Sequence, residues 1–339
     1  MKFSIGRRTL GHGQPIFIIA EIARTYGNNL KTAMEMIKIA ADIGVDAIKI
    51  QSIDPSELLV KNSTTISHYK KLESLKRSRE EHILLFQAAH KYGIEFLSTP
   101  ESLSMINLLE EIEIPAYKIA SLDIVYEKLL KYAASKNKPM LVSCGMATEE
   151  EVKRAYQLIQ SQGNEKICFL HCTSLYPTPY DKANVRKIST LQSMFPNLPI
   201  GYSDHTIGIT ASVLSVGLGV RVIEKHFTLD RSQIGADHLV ACDVPMLTSL
   251  VKSVREAEAL MTGNSFLTDD EYSMRAIKRR KLVASQNMAA GKILNEDSID
   301  AKQNDSSLGI ESGKIGSLIG KKLVKSLRKD DLITNEDIH

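Results

Sequence analysis

Along this chain, short runs dense in Ile, Val, Phe and Leu alternate with longer stretches in which apolar residues return every three or four positions. Those are the two periods of strand and helix. The short runs predict strands at 16–21, 46–51, 95–99, 116–121, 139–144, 166–172, 199–203 and 221–226. The longer stretches predict helices over 30–43, 79–92, 102–111, 125–135, 149–162, 185–195, 208–218 and 245–261. Thr148 ahead of "EEE" is a helix start: its hydroxyl accepts from free first-turn amides while the acids favour the positive helix end. Strand and helix in strict alternation imply a parallel sheet, and eight such units close into a (β/α)8 TIM barrel.

The beat stops near Gly263. "TGNSFLTDDEYSMRAIKRRK" is polar and interrupted and reads as a linker over 263–280. The remainder, 281–339, has another texture: β-like pieces at 281–285 and 322–324, turn glycines, and the similar phrases "AAGKILNEDSI" and "RKDDLITNEDI". The division expected is a barrel over 1–262, a linker, and a small β-rich domain.

The totals remove several function classes. With 339 residues, 43% hydrophobic and 24% charged, the chain has the balance of a soluble globular protein, and no apolar run approaches the ~18 residues of a membrane span. The N-terminus runs into patterned structure without a signal-type cleavage site. Cys144, Cys168, Cys172 and Cys242 lack zinc-site spacing and read as reduced core thiols, which fits a cytoplasmic protein. Net charge is +3 with the basic residues dispersed, and the "KRRK" cluster at 278–281 falls in the linker, so neither nucleic acid nor membrane is an expected partner.

In such a barrel, reactive groups gather where the strands end. The strand ends carry Glu21; Lys49 and Gln51; Ser98 and Thr99; Lys118, Ser121 and Asp123; Ser143; His171 and Ser174; Ser203, Asp204 and His205; Glu224 and His226. Burying an unsatisfied polar group costs ~1–3 kcal/mol, so this set is either paired or reserved for chemistry. His205 and His226 end adjacent strands and can converge on one divalent cation, leaving positions open for substrate oxygens; the alternative is a pair of hydrogen-bonded core histidines. Lys118 with the hydroxyls of Thr99, Ser121, Ser143, Ser174 and Ser203 can hold a phosphate, although any one hydroxyl can equally cap the next helix. Glu21 and Glu224 leave an acid pair open as well. There is no Walker loop, dinucleotide fingerprint or GxSxG elbow.

The phrases "IIAEIA", "GNNLKTAMEMIKIAADIGVDAIKIQ", "FLSTP", "YKIAS", "LVSCGMAT", "HCTSLYPTPY", "IGYSDHTIGI", "VIEKHFTLD" and "GADHL" together resemble the sialic acid (N-acetylneuraminate) synthase family, which includes legionaminate and pseudaminate synthases. The resemblance covers nearly the whole chain, including a C-terminal module similar to antifreeze-like (SAF) domains. It implies condensation of phosphoenolpyruvate with an open-chain N-acylated amino sugar, of the N-acetylmannosamine or 2,4-diacetamido-2,4,6-trideoxyhexose type, in a domain-swapped homodimer. It implies a divalent metal, Mn2+ with Mg2+ or Co2+ as alternatives, on His205 and His226. It places Thr99, Lys118, Ser121, Ser143, Ser174 and Ser203 around phosphoenolpyruvate, Glu21, Lys49 and Gln51 at the reacting centre, and Asp123, Tyr176 and Asp237 toward the sugar. The chain departs from the family pattern at "RTYG" (24–27), at Asp123, in a short 58–79 segment, and at Gln303, where an arginine is usual. A sugar-binding relative without turnover and a metal-dependent pyruvate aldolase are the competing readings.

Overall fold

The structure, a computed structural model, describes residues 1–27, 29–263, 266–305 and 307–339. The chain divides into two compact units, Met1–Thr262 and Gly263–His339.

The first unit opens with a hairpin, β1 (Lys2–Ile5) and β2 (Arg8–Gly11). Eight parallel strands follow: β3 (Phe17–Glu21), β4 (Ala47–Ser52), β5 (Glu95–Pro100), β6 (Tyr117–Ile119), β7 (Met140–Ser143), β8 (Ile167–Cys172), β9 (Ile200–Asp204) and β10 (Val222–His226). They pair in chain order, and β10 returns to β3 with His226 opposite Glu21, closing the barrel. The (β/α)8 expectation is met.

The period of two along each strand sorts the side chains. Ile16, Ile18, Ala20, Ile48, Ile50, Val142, Phe169 and Ile223 pack outward with the helices in the main core. Their alternates Phe17, Ile19, Ala47, Leu97, Leu141, Leu170 and Val222 form a separate inner layer. Phe3, Ile5 and Leu10 of the hairpin belong to that inner layer, so the hairpin packs onto the barrel's interior floor. Its turn needs Gly6, at φ 55°, because a side chain there would collide with the carboxylate of Glu95.

The helices begin where capping chemistry allows. Leu30–Ile43 is capped by the Asn29 side chain, while Arg79–Lys91 and Glu149–Gln160 start with capping boxes on Ser78–Glu81 and Thr148–Glu151. Two helices were not expected in the short segment after β4, Pro55–Leu58 and Ile66–Glu73.

The second unit holds a helix that the periodicity did not predict. Within the segment expected to be a linker, of which 264 and 265 lie outside the described residues, Asp269–Lys278 is a helix. Thr268 and Glu271 form a capping box, Asp269 and Asp270 fill its first turn, and Arg275 and Lys278 its last. Polarity on all sides hid it from apolar periodicity. Beyond it, antiparallel β11 (Lys281–Ala284) and β12 (Ile299–Lys302) pack around Leu282, Leu294, Ile310, Leu323 and Ile333. No helix among the described residues is long and apolar enough to cross a membrane.

A candidate active site at the C-terminal ends of the strands

The inner layer changes character one step further along each strand. Above Ile19, Ala47, Leu97, Leu141, Leu170 and Val222 the next inward positions are Glu21, Lys49, Thr99, Ser143, Cys172 and Glu224. They open onto a cavity of about 630 Å³, lined also by Gln51, Lys118, Ser121, Ser174, Tyr176, Ser203, His205, His226 and Asp237. Thirteen of the fourteen site residues expected from sequence therefore meet in one cavity. The exception is Asp123, which sits in a short 3-10 turn (Ser121–Asp123), buried beside the cavity and not on its wall. Its Oδ2 has no hydrogen-bond partner, and burial pushes the carboxyl up to about 6 against the pull of Lys118.

Three polar strand-end residues face outward by parity. Ser98 bonds Ser52, the His171 ring stacks on Tyr202, and Asp204 pairs with Lys225 at 3.1 Å. They belong to the packing between barrel and helices.

Four charged side chains mesh inside the mouth. The Lys49 ammonium contacts Glu21, donates to Thr99 Oγ1 at 3.1 Å and lies 3.6 Å from Glu224. Lys118 lies 3.4 Å from the other oxygen of Glu224, which also accepts from Ser203 Oγ at 2.9 Å. Burial lowers Lys49 to about 8, and Lys118 adds to this against the attraction of Glu224. Glu224 moves the opposite way: burial resists its ionisation, but Lys118, Lys49 and the Ser203 hydroxyl outweigh it and hold the carboxyl below its ordinary value. Glu21 is fixed by accepting from the Ala23 amide at 2.6 Å.

Beside Lys118 three hydroxyls converge. Ser121 Oγ accepts from the Gly145 amide at 3.0 Å, and a side chain added at Gly145 would collide with the hydroxyls of both Ser174 and Ser121. Ser143 Oγ is buried with no hydrogen-bond partner. Donors close to an ammonium in this way form an anion cradle.

On the far side the rings of His205 and His226 lie 5.4 Å apart, with Tyr176 packed 4.0 Å from His205 and 5.9 Å from His226. His205 Nδ1 stands 3.0 Å from the Thr173 carbonyl, which only accepts, so Nδ1 carries a proton; burial opposes a charged ring, but Cys172 and the Thr173 carbonyl outweigh it and raise this imidazole above its ordinary value. Burial, together with His205 and Lys49, holds His226 well below its ordinary value, so it is neutral, and its Nδ1 is buried without a partner. A neutral His226, beside a His205 that can give up its Nε2 proton to a cation, suits a first-row divalent ion. Among the described residues no group of three or more His, Cys, Asp or Glu side chains is arranged to hold a metal ion. The histidine pair fits such an ion only if water or substrate oxygens complete its shell.

Sequence reading missed Arg24, Leu58, Leu59, His68, Leu72, Glu101, Leu122, Met146 and Cys172, which also line the cavity. Cys172 and Glu101 had a legible signal, since both continue the inward parity of their strands. Leu58, His68 and Leu72 come from the two unexpected helices and had none.

A profile of the NeuB family matches residues 36–265. The chain is 34% identical to the N,N'-diacetyllegionaminic acid synthase of Legionella pneumophila, over 95% of this chain and 94% of that one. It is 33% identical to the human N-acetylneuraminate-9-phosphate synthase, over 97% and 94%. Among solved structures it is similar to the N-acetylneuraminic acid synthetase of Leptospira borgpetersenii, crystallised with citrate, with a TM-score of 0.75 and 32% identity over 81% of this chain and 96% of that one.

Proposed function

The chain belongs to the NeuB family, and on that premise we propose that it is a nonulosonic acid synthase. In this reading it joins phosphoenolpyruvate to the open-chain aldehyde of an N-acylated mannosamine-type sugar, with water, and releases phosphate. The observation that carries the reading is the sharing of one cavity by the Lys118–Ser121–Ser143–Ser174 cradle and the His205–His226 pair. An aldolase acting on pyruvate would leave that cradle without a phosphate to hold.

The steps follow from where the groups stand. The cradle holds the phosphate of phosphoenolpyruvate, with the Gly145 backbone approached as closely as a glycine permits. The acceptor aldehyde enters beside His205, His226 and Tyr176, and a divalent ion held by the two imidazoles would polarise its oxygen as a Lewis acid. C3 of the enol phosphate attacks the aldehyde carbon, forming the new C–C bond and leaving an oxocarbenium-like centre at C2, and the aldehyde oxygen takes up a proton that the water added at C2 releases. Water adds at C2, delivering its proton to Glu21, whose orientation is set by the Ala23 amide and Lys49. The resulting hydroxyl gives up its proton as the C2–O bond to phosphorus breaks, so phosphate departs and a ketone remains at C2. Lys49 and Lys118 offset the negative charge that gathers along this path. The C-terminal unit is proposed to be an antifreeze-like module exchanged within a homodimer.

Phosphate release from phosphoenolpyruvate, dependent on an N-acylated mannosamine and halted by chelation of divalent metal, is the expected result. His226→Ala should lose both turnover and Mn2+ binding measured directly by calorimetry. Phosphate release without an acceptor, or equal turnover of pyruvate, would overturn the proposal.

A further inference from the structure

One part of the cavity wall is used by none of these steps. Arg24 and Glu101 enter it from the loop after β3 and the end of β5. Glu101 is only 6% exposed, among the described residues its carboxylate makes no hydrogen bond, and burial pushes it up to about 7 despite Arg24 and Lys49, with Asp123 adding to the shift. Arg24 Nε is buried and likewise has no partner. The two are electrostatically coupled yet form no ion pair.

The loop is built to hold Arg24 there. Ala23 takes a left-handed backbone at φ 28°, which a residue with a Cβ avoids unless its surroundings impose it. On the other side Thr25 Oγ1 bonds the carbonyls of Ile22 and Phe227 at 2.8 and 2.6 Å. The Arg24 carbonyl in turn accepts from the Gly27 amide at 3.2 Å. A guanidinium so anchored, facing a carboxylate it does not touch, leaves a donor and an acceptor for something placed between them.

We propose that Arg24 and Glu101 form a selectivity filter for the acceptor sugar, clamping a neutral acylamino group and rejecting a phosphorylated sugar. The acylamino N–H is donated to Glu101 and its carbonyl accepts from Arg24. A phosphate ester would meet Glu101 and Asp237 on the wall and Asp123 behind it, opposed by Arg24, while Lys49 and Lys118 are already engaged by Glu21 and Glu224. This inference rests on the synthase reading for its ligand class, and a binding measurement tests it without turnover.

The probes are N-acetylmannosamine and its 6-phosphate, titrated by calorimetry into the full chain saturated with phosphoenolpyruvate, with divalent metal chelated so that no turnover occurs. Wild type should bind the neutral sugar at least tenfold more tightly than the phosphate. Glu101→Gln should narrow that ratio at least tenfold, Arg24→Met should weaken the neutral sugar at least tenfold, and neither should alter phosphoenolpyruvate affinity. Arg24→Lys should restore only part of the loss, because an ammonium lacks the planar fork. Equal or tighter wild-type binding of the phosphate, an unchanged ratio in Glu101→Gln, or failure to bind either sugar would overturn the filter. Ratios that shift as stated, with no phosphate release once the metal is restored, would instead sink the synthase reading and spare the filter.

Discussion

Two ionic clusters lie back to back across the backbones of β9 and β10, and they are wired differently. On the outward side Asp204 accepts from Lys225 at 3.1 Å, Tyr202 at 3.2 Å, the Thr206 amide at 2.8 Å and Ser212 at 2.6 Å. Lys225 also donates to the Thr206 carbonyl at 2.5 Å, and both charged side chains are 0% exposed. On the inward side Glu224 and Lys118 approach only to 3.4 Å, and Gln51 Oε1, Ser143 Oγ and His226 Nδ1 have no partner. The two clusters use similar residues, and alternate positions of one strand, Glu224 and Lys225, serve opposite sides. A closed ionic network fixes a backbone; an open one holds its bonding capacity for a ligand. The closed pair fixes the strand ends that carry His205 and His226, each adjacent in sequence to one of its members.

The contrast is tested most severely by Lys225→Met. Removing one partner of a fully buried pair leaves an uncompensated charge, so a loss of about 3–5 kcal/mol is expected in denaturant unfolding. Adding Asp204→Asn should recover more than half of it, because a neutral amide needs no counter-ion. A cost under about 1 kcal/mol for Lys225→Met would remove the distinction. The inward counterpart is Lys118→Met. It should reduce kcat/KM by about 10²–10³-fold, the effect of losing a charged donor to the reacting group. Its stability should change by less than about 1.5 kcal/mol, since water enters the open cavity and solvates Glu224. If both variants unfolded alike, openness to the cavity would carry no functional meaning.

Much of this was legible in the sequence, because period two in a closed barrel decides which side chains meet. Glu21, Lys49, Thr99, Ser143 and Glu224 sit at inward positions just above an apolar layer, so reading strand ends located them. The same reading placed Ser98, His171 and Asp204 among the candidates, because a list of polar strand ends ignores parity; each is one residue off the inward register. The hairpin of β1 and β2 escaped because two four-residue strands carry little periodicity, and its partner, the floor of the barrel, is distant in sequence. Arg24 escaped for another reason: it lies in a loop, where nothing periodic points a side chain. Its position is set by the left-handed backbone of Ala23 and the anchoring of Thr25, which only coordinates reveal.

The smallest expected effect separates the open cluster from the closed one by pH. Glu101 titrates at about 7 in the folded chain against an ordinary 4.5. Between those values the native protein binds a proton that the unfolded chain does not, so stability falls as pH rises through this window and the loss is complete above pH 7. The full span corresponds to about 3 kcal/mol, which water in the cavity reduces to about 1–2 kcal/mol. Glu101→Gln carries no such proton, so it should be similar to wild type near pH 5 and more stable by about 1–2 kcal/mol at pH 8. Arg24→Met should steepen the wild-type slope, because the guanidinium opposes the upward shift along with Lys49, while Asp123 reinforces it. Denaturant midpoints of the three proteins at pH 5, 6, 7 and 8 measure this directly. A difference between Glu101→Gln and wild type that stays flat across that range would mean the Glu101 carboxylate is solvated like a surface acid, and the contrast between closed and open clusters would then stop short of the cavity mouth.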